Sequence, residues 1–281
     1  MLPLNQDVSK EPDYSSGFAP MLVDSHPRYV GAMRDGAVFV LIAMAINILA
    51  SIAMFVGGLL LGVSDPFSAG PSAETYDMVE TFHALTILVA SAAGVLGWWW
   101  LTTRDPREGE YAEPSRSRPL VRTTLVVQTL AFLAMSTSPV LMGFLVPEDA
   151  TPAQAQQMLA LVGLISLTFG LAMLVKFFAT MSYIRWLAPR IPDEILEEKA
   201  ASFIFVGPVL VVGPMVGMFV VAFTGIVPML LVFALLTVVC FLAALVKYWN
   251  LIYRTMAGLS AIAQEQRERA QLAAASRQNA A

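Results

Sequence analysis

Long apolar segments alternate with shorter polar ones along most of this chain. A helix needs about 20 apolar residues to cross the hydrocarbon core of a bilayer, which is roughly 30 Å thick. Four segments match that length, and each is predicted to form one membrane span. These four spans are expected over residues 37–63, 82–101, 125–146 and 158–178.

A fifth apolar segment is too long for a single span. It runs from Phe203 to Val246 without a charged residue. As one helix it would be about 66 Å long, at about 1.5 Å per residue, which exceeds the thickness of a bilayer. We therefore expect the chain to turn back at Thr224-Gly225 and to form two spans, over 203–223 and 226–249.

This pattern predicts an all-α fold, a polytopic membrane helix bundle with six transmembrane helices arranged as three hairpins. We expect a flexible cytoplasmic tail over 1–36, the transmembrane domain over 37–250 and a cytoplasmic helical extension over 251–281. The fourth and sixth helices are both expected to extend into the cytoplasm. Apolar residues at heptad spacing along 245–266 predict a packed seam on the sixth helix, with the extension of the fourth helix as its partner.

The basic residues predict the orientation of the six spans. Cytoplasmic loops of membrane proteins are enriched in Lys and Arg. With six spans, all 17 basic residues fall on one side, and the opposite loops 64–81, 147–157 and 224–225 contain none. We therefore expect both termini on the cytoplasmic side of a cell inner membrane. The first span is expected to remain uncleaved, because its apolar residues begin only at residue 37.

Composition excludes several classes of protein. The chain is 57% hydrophobic and 14% charged, whereas soluble domains are about 45–50% apolar and about 25% charged. A net charge of −4 gives no basic footprint for a nucleic acid. The single cysteine, Cys240, excludes an internal disulfide and a multi-cysteine metal site. We expect no catalytic residue, no cofactor and no bound metal, because no nucleotide-binding or hydrolase motif is present.

Two Gly-Pro pairs interrupt the fifth predicted span, Gly207-Pro208 and Gly213-Pro214. Proline removes a backbone donor and disfavours helical geometry in the residue before it, so this helix is expected to be kinked or locally unwound. Broken helices line substrate sites in transporters. A candidate counterpart in the third span is the hydroxyl-rich segment Ser136, Thr137, Ser138, Pro139. The alternative interpretation is that these residues only pack helices together.

The second span opens with Glu80 and His83, which share one helix face at a spacing of three. This pair is a candidate for a pH-responsive site, because histidine titrates near neutral pH. The simpler interpretation is a solvated pair at the membrane surface. Asn47 and Gln128 are isolated amides in apolar spans, and each is expected to form a hydrogen bond between helices.

Aromatic residues and lysines near the ends of the even-numbered spans are predicted to be interfacial anchors. Lysine in this position extends its ammonium group toward the membrane surface. The predicted anchors are Lys176, Lys247, Trp98, Trp99, Trp100 and Trp249.

Three functions remain open on the sequence. The leading hypothesis is a non-catalytic subunit or scaffold of an inner-membrane assembly, since mid-membrane charges and reactive side-chain groups are lacking. The alternative is a small permease or channel for a neutral or weakly polar solute. The third is a membrane enzyme or electron carrier built around Glu80 and His83. Expected partners are the lipid bilayer and other membrane proteins or a second copy, bound through the C-terminal helix.

Overall fold

The computed structural model describes residues 21–62, 73–104, 115–145, 152–191, 193–224 and 227–280. Across these ranges all regular structure is helical, which confirms the all-α prediction. Two 3-10 turns, at Leu22–Asp24 and Ala188–Arg190, accompany the long helices. The six long helices are α1 (Pro27–Gly62), α2 (Ala73–Leu101), α3 (Ser117–Leu145), α4 (Pro152–Leu187), α5 (Glu194–Thr224) and α6 (Val227–Ala280).

Five of these helices are long and apolar enough to cross a membrane. Their candidate spans are Pro27–Met54, Thr81–Leu101, Gly163–Arg190, Glu194–Met218 and Pro228–Asn279. The protein is therefore membrane-embedded by the length and composition of its helices. Within the described ranges α3 does not meet this criterion, so the span predicted over 125–146 remains a prediction.

The helices α1 and α2 pack closely because glycines face each other along their contact. A Cβ atom placed on Gly97 would lie 2.7 Å from the backbone nitrogen of Val40. One turn along, Gly94 lies beside Ala43. Residue numbers rise on one helix as they fall on the other, so the two helices run antiparallel. Small residues allow helix backbones to approach in this way.

Most of the extensive helix contacts join helices that are neighbours in the chain, and α6 also contacts α1. The most extensive contacts join α1 to α2, α3 to α4 and α5 to α6, while α6 also packs on α1 and α4 on α5. The predicted seam on α6 does bury Leu259 and Ala263. Its expected partner was wrong, because α6 packs mainly on α5 and α1 rather than on α4. The segment after α4 reaches α6 through Ile191, which lies directly over Gly258.

The buried core lies toward one end of the bundle. Fully buried side chains there include Tyr183, Leu187 and Leu251, and we call this the basic end because Arg118, Arg122, Arg190 and Arg254 lie near it. Farther from it, large apolar side chains point outward. An outward apolar surface suits a helix surrounded by lipid.

The helix α5 begins at Glu194. Asp193 precedes it and accepts a hydrogen bond from the backbone N–H of Leu196 at 2.9 Å, as an N-cap residue does. The acidic residues in the first turn of α5, Glu194 and Glu197, and the fifth apolar segment belong to one continuous helix. Both prolines lie inside it, so α5 is not locally unwound at Pro208 and Pro214. The kink, which was the other form of this expectation, stays a prediction.

Candidate solute-binding cavity

Polar side chains from five helices line one cavity of about 790 Å³. We call it the five-helix cavity. Most of its other lining residues are apolar. The seven polar or amphipathic side chains of the lining come from α1, α2, α3, α4 and α6, and are Asn47, Ser91, Trp98, Gln128, Thr129, Lys176 and Tyr248.

The cavity exists because α2 and α3 hardly touch. Each packs on another neighbour, α2 on α1 and α3 on α4. The α1–α2 contact is tight at Gly97 and Gly94, which holds α2 against α1 and away from α3. A gap therefore remains between the two helix pairs.

Among the described residues that line the five-helix cavity, Lys176 is the only charged one. Its Nζ atom donates a hydrogen bond to Oε1 of Gln128 on α3 at 3.0 Å. In the described parts of the chain, none of the ion pairs involves Lys176. Its ammonium group is thus directed into the bundle and not toward the end of its helix. Its predicted role as an interfacial anchor stays a prediction.

A smaller cavity, of about 300 Å³, lies on the other side of Lys176. Gln128, Lys176 and Tyr248 line both cavities. Phe177 and Phe203 line the smaller cavity, and their ring centroids are 5.5 Å apart. The lysine therefore lies at the junction between two spaces.

Trp98 and Tyr248 both line the five-helix cavity, from α2 and α6. Gln128 meets the expectation of a hydrogen bond between helices through its contact with Lys176. Asn47 does not, because its amide donates to the carbonyl of Ala43 on its own helix at 2.9 Å.

Contacts at the basic end hold α2, α3 and α4 in position next to the cavity. The hydroxyl of Tyr183 donates to the carbonyl of Leu101 at 2.8 Å. Arg122 donates to the hydroxyl of Thr102 at 3.2 Å and stacks 4.7 Å from the centre of the Trp99 ring. Burial lowers the pKa of Arg122, and the neighbouring charge of Arg118 adds to this effect. Sequence reasoning missed these contacts, because they join residues on different helices.

The predicted aromatic anchors lie in different surroundings. Trp98 is buried, whereas Trp99 and Trp100 are exposed. Trp100 also packs edge-to-face on Phe39 with centroids 5.1 Å apart. Trp249 is half-buried, and Lys247 is exposed. Anchoring by the exposed members stays a prediction.

The predicted Gly-Pro site is partly a packing contact. A Cβ atom on Gly207 would lie 2.6 Å from the Phe177 ring, whereas one on Gly213 would meet nothing within 4 Å. Gly207 lines the smaller cavity, and Pro208 is half-buried while Pro214 is buried. The predicted substrate path at these residues has no test in the structure.

Two other predicted sites fall wholly or partly outside the described side chains. Ser136, Thr137, Ser138 and Pro139 lie in the helical backbone of α3, but their side chains are outside the described set. The side chain of Glu80 is outside it as well. His83 is half-buried, and its Nδ1 atom has no hydrogen-bond partner among the described residues.

The chain has no match among protein families, curated proteins or solved structures. The described residues contain no group of three or more side chains suited to holding a metal ion.

Proposed function

We propose that this protein is a membrane permease that binds a small, mostly apolar solute within the helix bundle. One observation carries the proposal, the convergence of polar side chains from five helices on a cavity of about 790 Å³. Small-molecule sites are typically about 300–1,000 Å³ in volume, largely apolar, and supplied with a few polar groups. An ionisable residue inside a membrane bundle is also a functional-site candidate by default. Lys176 is such an ionisable residue, and it lines the five-helix cavity.

The proposed membrane arrangement is six spans with both termini on the cytoplasmic side of an inner membrane. Two observations support it. All 17 basic residues fall on one side under this topology. In addition, α3 supplies Gln128, Thr129 and Phe132 to the same cavity as the other helices, so α3 lies at the same level of the bundle as the candidate spans.

The proposal can be tested by filling the cavity. Ser91 lines it and is half-buried, so Ser91→Phe should occupy the space that a solute needs. Ser51→Phe is the matched control, because Ser51 is exposed and is not in the lining. The probe is N-phenyl-1-naphthylamine, a neutral apolar dye, titrated into the full chain in phosphatidylcholine nanodiscs.

We expect saturable dye binding by the wild type and by Ser51→Phe, and a loss of at least about tenfold in affinity for Ser91→Phe. Empty nanodiscs supply the baseline for dye dissolved in lipid. Equal affinities for the two variants, or the absence of saturable binding above that baseline, would contradict the proposal.

A second candidate function is a non-catalytic subunit or scaffold of a membrane assembly. The specific observation is the end of α6, where residues 267–279 are exposed on all sides and continue the helix beyond Gln266. Gln266 itself donates to carbonyls of the turn near Leu22. A chain truncated after Gln266 keeps that contact and removes the exposed helix.

Native mass spectrometry of wild type and truncated protein, both extracted in mild detergent, separates the two candidates. A scaffold should be recovered with other chains or as an oligomer, and truncation should release the monomer. A monomeric wild type would argue against the scaffold and would leave the cavity proposal untouched.

A further inference from the structure

We propose that the solute is a single-chain amphiphile with an anionic carboxylate head group, which Lys176 and Thr180 hold together. This inference rests on the proposed solute-binding function and adds the chemistry of the ligand. It depends on the charge of Lys176, on an unused hydroxyl beside it and on the shape of the two cavities.

Charge balance is the first argument. Removing an ammonium group from water is costly, and an opposite charge and full hydrogen bonding offset that cost. The bond from Lys176 to Gln128 uses a neutral oxygen, and an ammonium has three donors to satisfy. Neither cavity has an Asp or Glu among its described lining residues. A bound carboxylate would supply the opposite charge that these linings lack.

Thr180 supplies an independent second observation. It lies four residues after Lys176 on α4, and residues at this spacing share one helix face. Thr180 lines the smaller cavity and is 1% exposed. Its hydroxyl has no hydrogen-bond partner among the described residues. A buried polar group without a partner is costly, and a carboxylate in this cavity would accept a hydrogen bond from the Thr180 hydroxyl.

Gln128 completes a donor set for the head group. Because its Oε1 atom accepts from Lys176, its amide NH₂ group remains to donate. A carboxylate at the junction of the cavities would thus meet an ammonium, a hydroxyl and an amide. Charge-assisted hydrogen bonds of this type are the strong ones in proteins.

The shape of the cavities indicates the rest of the ligand. The lining of the five-helix cavity beyond Lys176 is mostly apolar, which suits an alkyl chain. Its volume of about 790 Å³ falls within the range of drug-sized ligands and suits one chain better than the two chains of a phospholipid. The head group is therefore expected at Lys176, and the alkyl tail in the apolar part of the five-helix cavity.

The test compares octanoate with octanamide, which has the same chain and a neutral head group. Each displaces N-phenyl-1-naphthylamine from the full-length protein in phosphatidylcholine nanodiscs, whose lipids carry no net charge. We expect octanoate to displace the dye from the wild type at a concentration about tenfold or more below that of octanamide.

Three variants assign the effect to the proposed head-group site. In Lys176→Met the preference for octanoate should disappear, while octanamide binds within about twofold of the wild type. Thr180→Val should weaken octanoate about fivefold and spare octanamide. Lys247→Met is the matched control, because Lys247 is exposed and lies in neither lining. It should behave as the wild type.

Each outcome has one meaning. Equal displacement by the two compounds in the wild type, or a preference that survives Lys176→Met, would overturn the anionic head group while saturable dye binding still supported the proposed function. Loss of dye binding by the wild type would overturn both. If Lys176→Met does not bind the dye at all, Thr180→Val tests the head-group site instead. Unchanged octanoate affinity in Thr180→Val would then overturn the proposal.

Discussion

Two lysines in nearly identical sequences differ in what they contact. Lys176 follows Leu-Val and precedes two aromatic residues, and so does Lys247. Lys176 bonds to Gln128 on another helix, whereas Lys247 is exposed. The sequence predicts the chemistry of each side chain, but its surroundings depend on which helix packs beside it. For Lys176 that helix is α3, which carries Gln128. The two residues are 48 positions apart in the chain, so no local sequence pattern pairs them.

At the scale of the residue, we predict that Tyr183→Phe destabilises the protein by about 1–2 kcal/mol. The hydroxyl of Tyr183 is buried and donates to Leu101, the last residue of α2, where helix carbonyls lack partners. Thermal or denaturant unfolding in detergent measures the effect. The control is Tyr253→Phe, since Tyr253 is 52% exposed. Equal stabilities of the two variants would contradict the assigned hydrogen bond.

At the scale of the element, helix positions were largely predictable and helix continuity was not. The length of the apolar segments located the helices, and Asp193 caps the start of α5. The two Gly-Pro pairs predict a kinked or locally unwound helix, and α5 continues as a helix through both. Membrane helices tolerate proline when neighbouring groups satisfy the freed backbone. Gly207 has a different reason to be glycine, the contact with Phe177.

The cap of α5 gives a prediction at this scale. Asp193 also forms an ion pair with Arg254 at 3.0 Å, so Asp193→Ala loses both contacts and should cost about 1–2 kcal/mol. Asp193→Asn keeps a capping oxygen and loses only the charge, and it should cost clearly less. Unfolding free energies of the purified variants test this order. A larger loss for the Asn variant would refute it.

The glycines of α5 give a second prediction. Gly207→Ala places a methyl group against Phe177 and should destabilise the protein by about 1–3 kcal/mol. Gly213→Ala meets open space and should be neutral or slightly stabilising, because alanine favours helices. Melting temperatures from fluorescence-detected chromatography compare the two. The opposite order would show that Gly213, and not Gly207, is the packed position.

At the scale of the whole molecule, the sequence indicates how many apolar segments there are but not which of them touch. The α6 seam was predictable from its spacing, whereas its partners α5 and α1 were not. The five-helix cavity likewise arises from a weak α2–α3 contact, and apolar patterns do not encode a missing contact. Residue types along single helices therefore could not locate the candidate site.

Topology gives a prediction for the molecule as a whole. In a Cys240→Ala background, Ser117→Cys and Ser276→Cys should react with a membrane-impermeant maleimide from one side, and Ala150→Cys from the other. This follows from six spans, in which α3 crosses the membrane. Labelling of positions 117 and 276 from opposite sides would instead require an odd number of spans between them.

The central claim is that a solute binds inside the bundle, in the cavity that five helices form. Native mass spectrometry after incubation with dodecanoate tests it most directly, because it counts bound molecules per chain. We predict one bound dodecanoate on the wild type and on Ser51→Phe, and none on Ser91→Phe. An adduct of equal abundance on Ser91→Phe, or none on the wild type, would contradict the account.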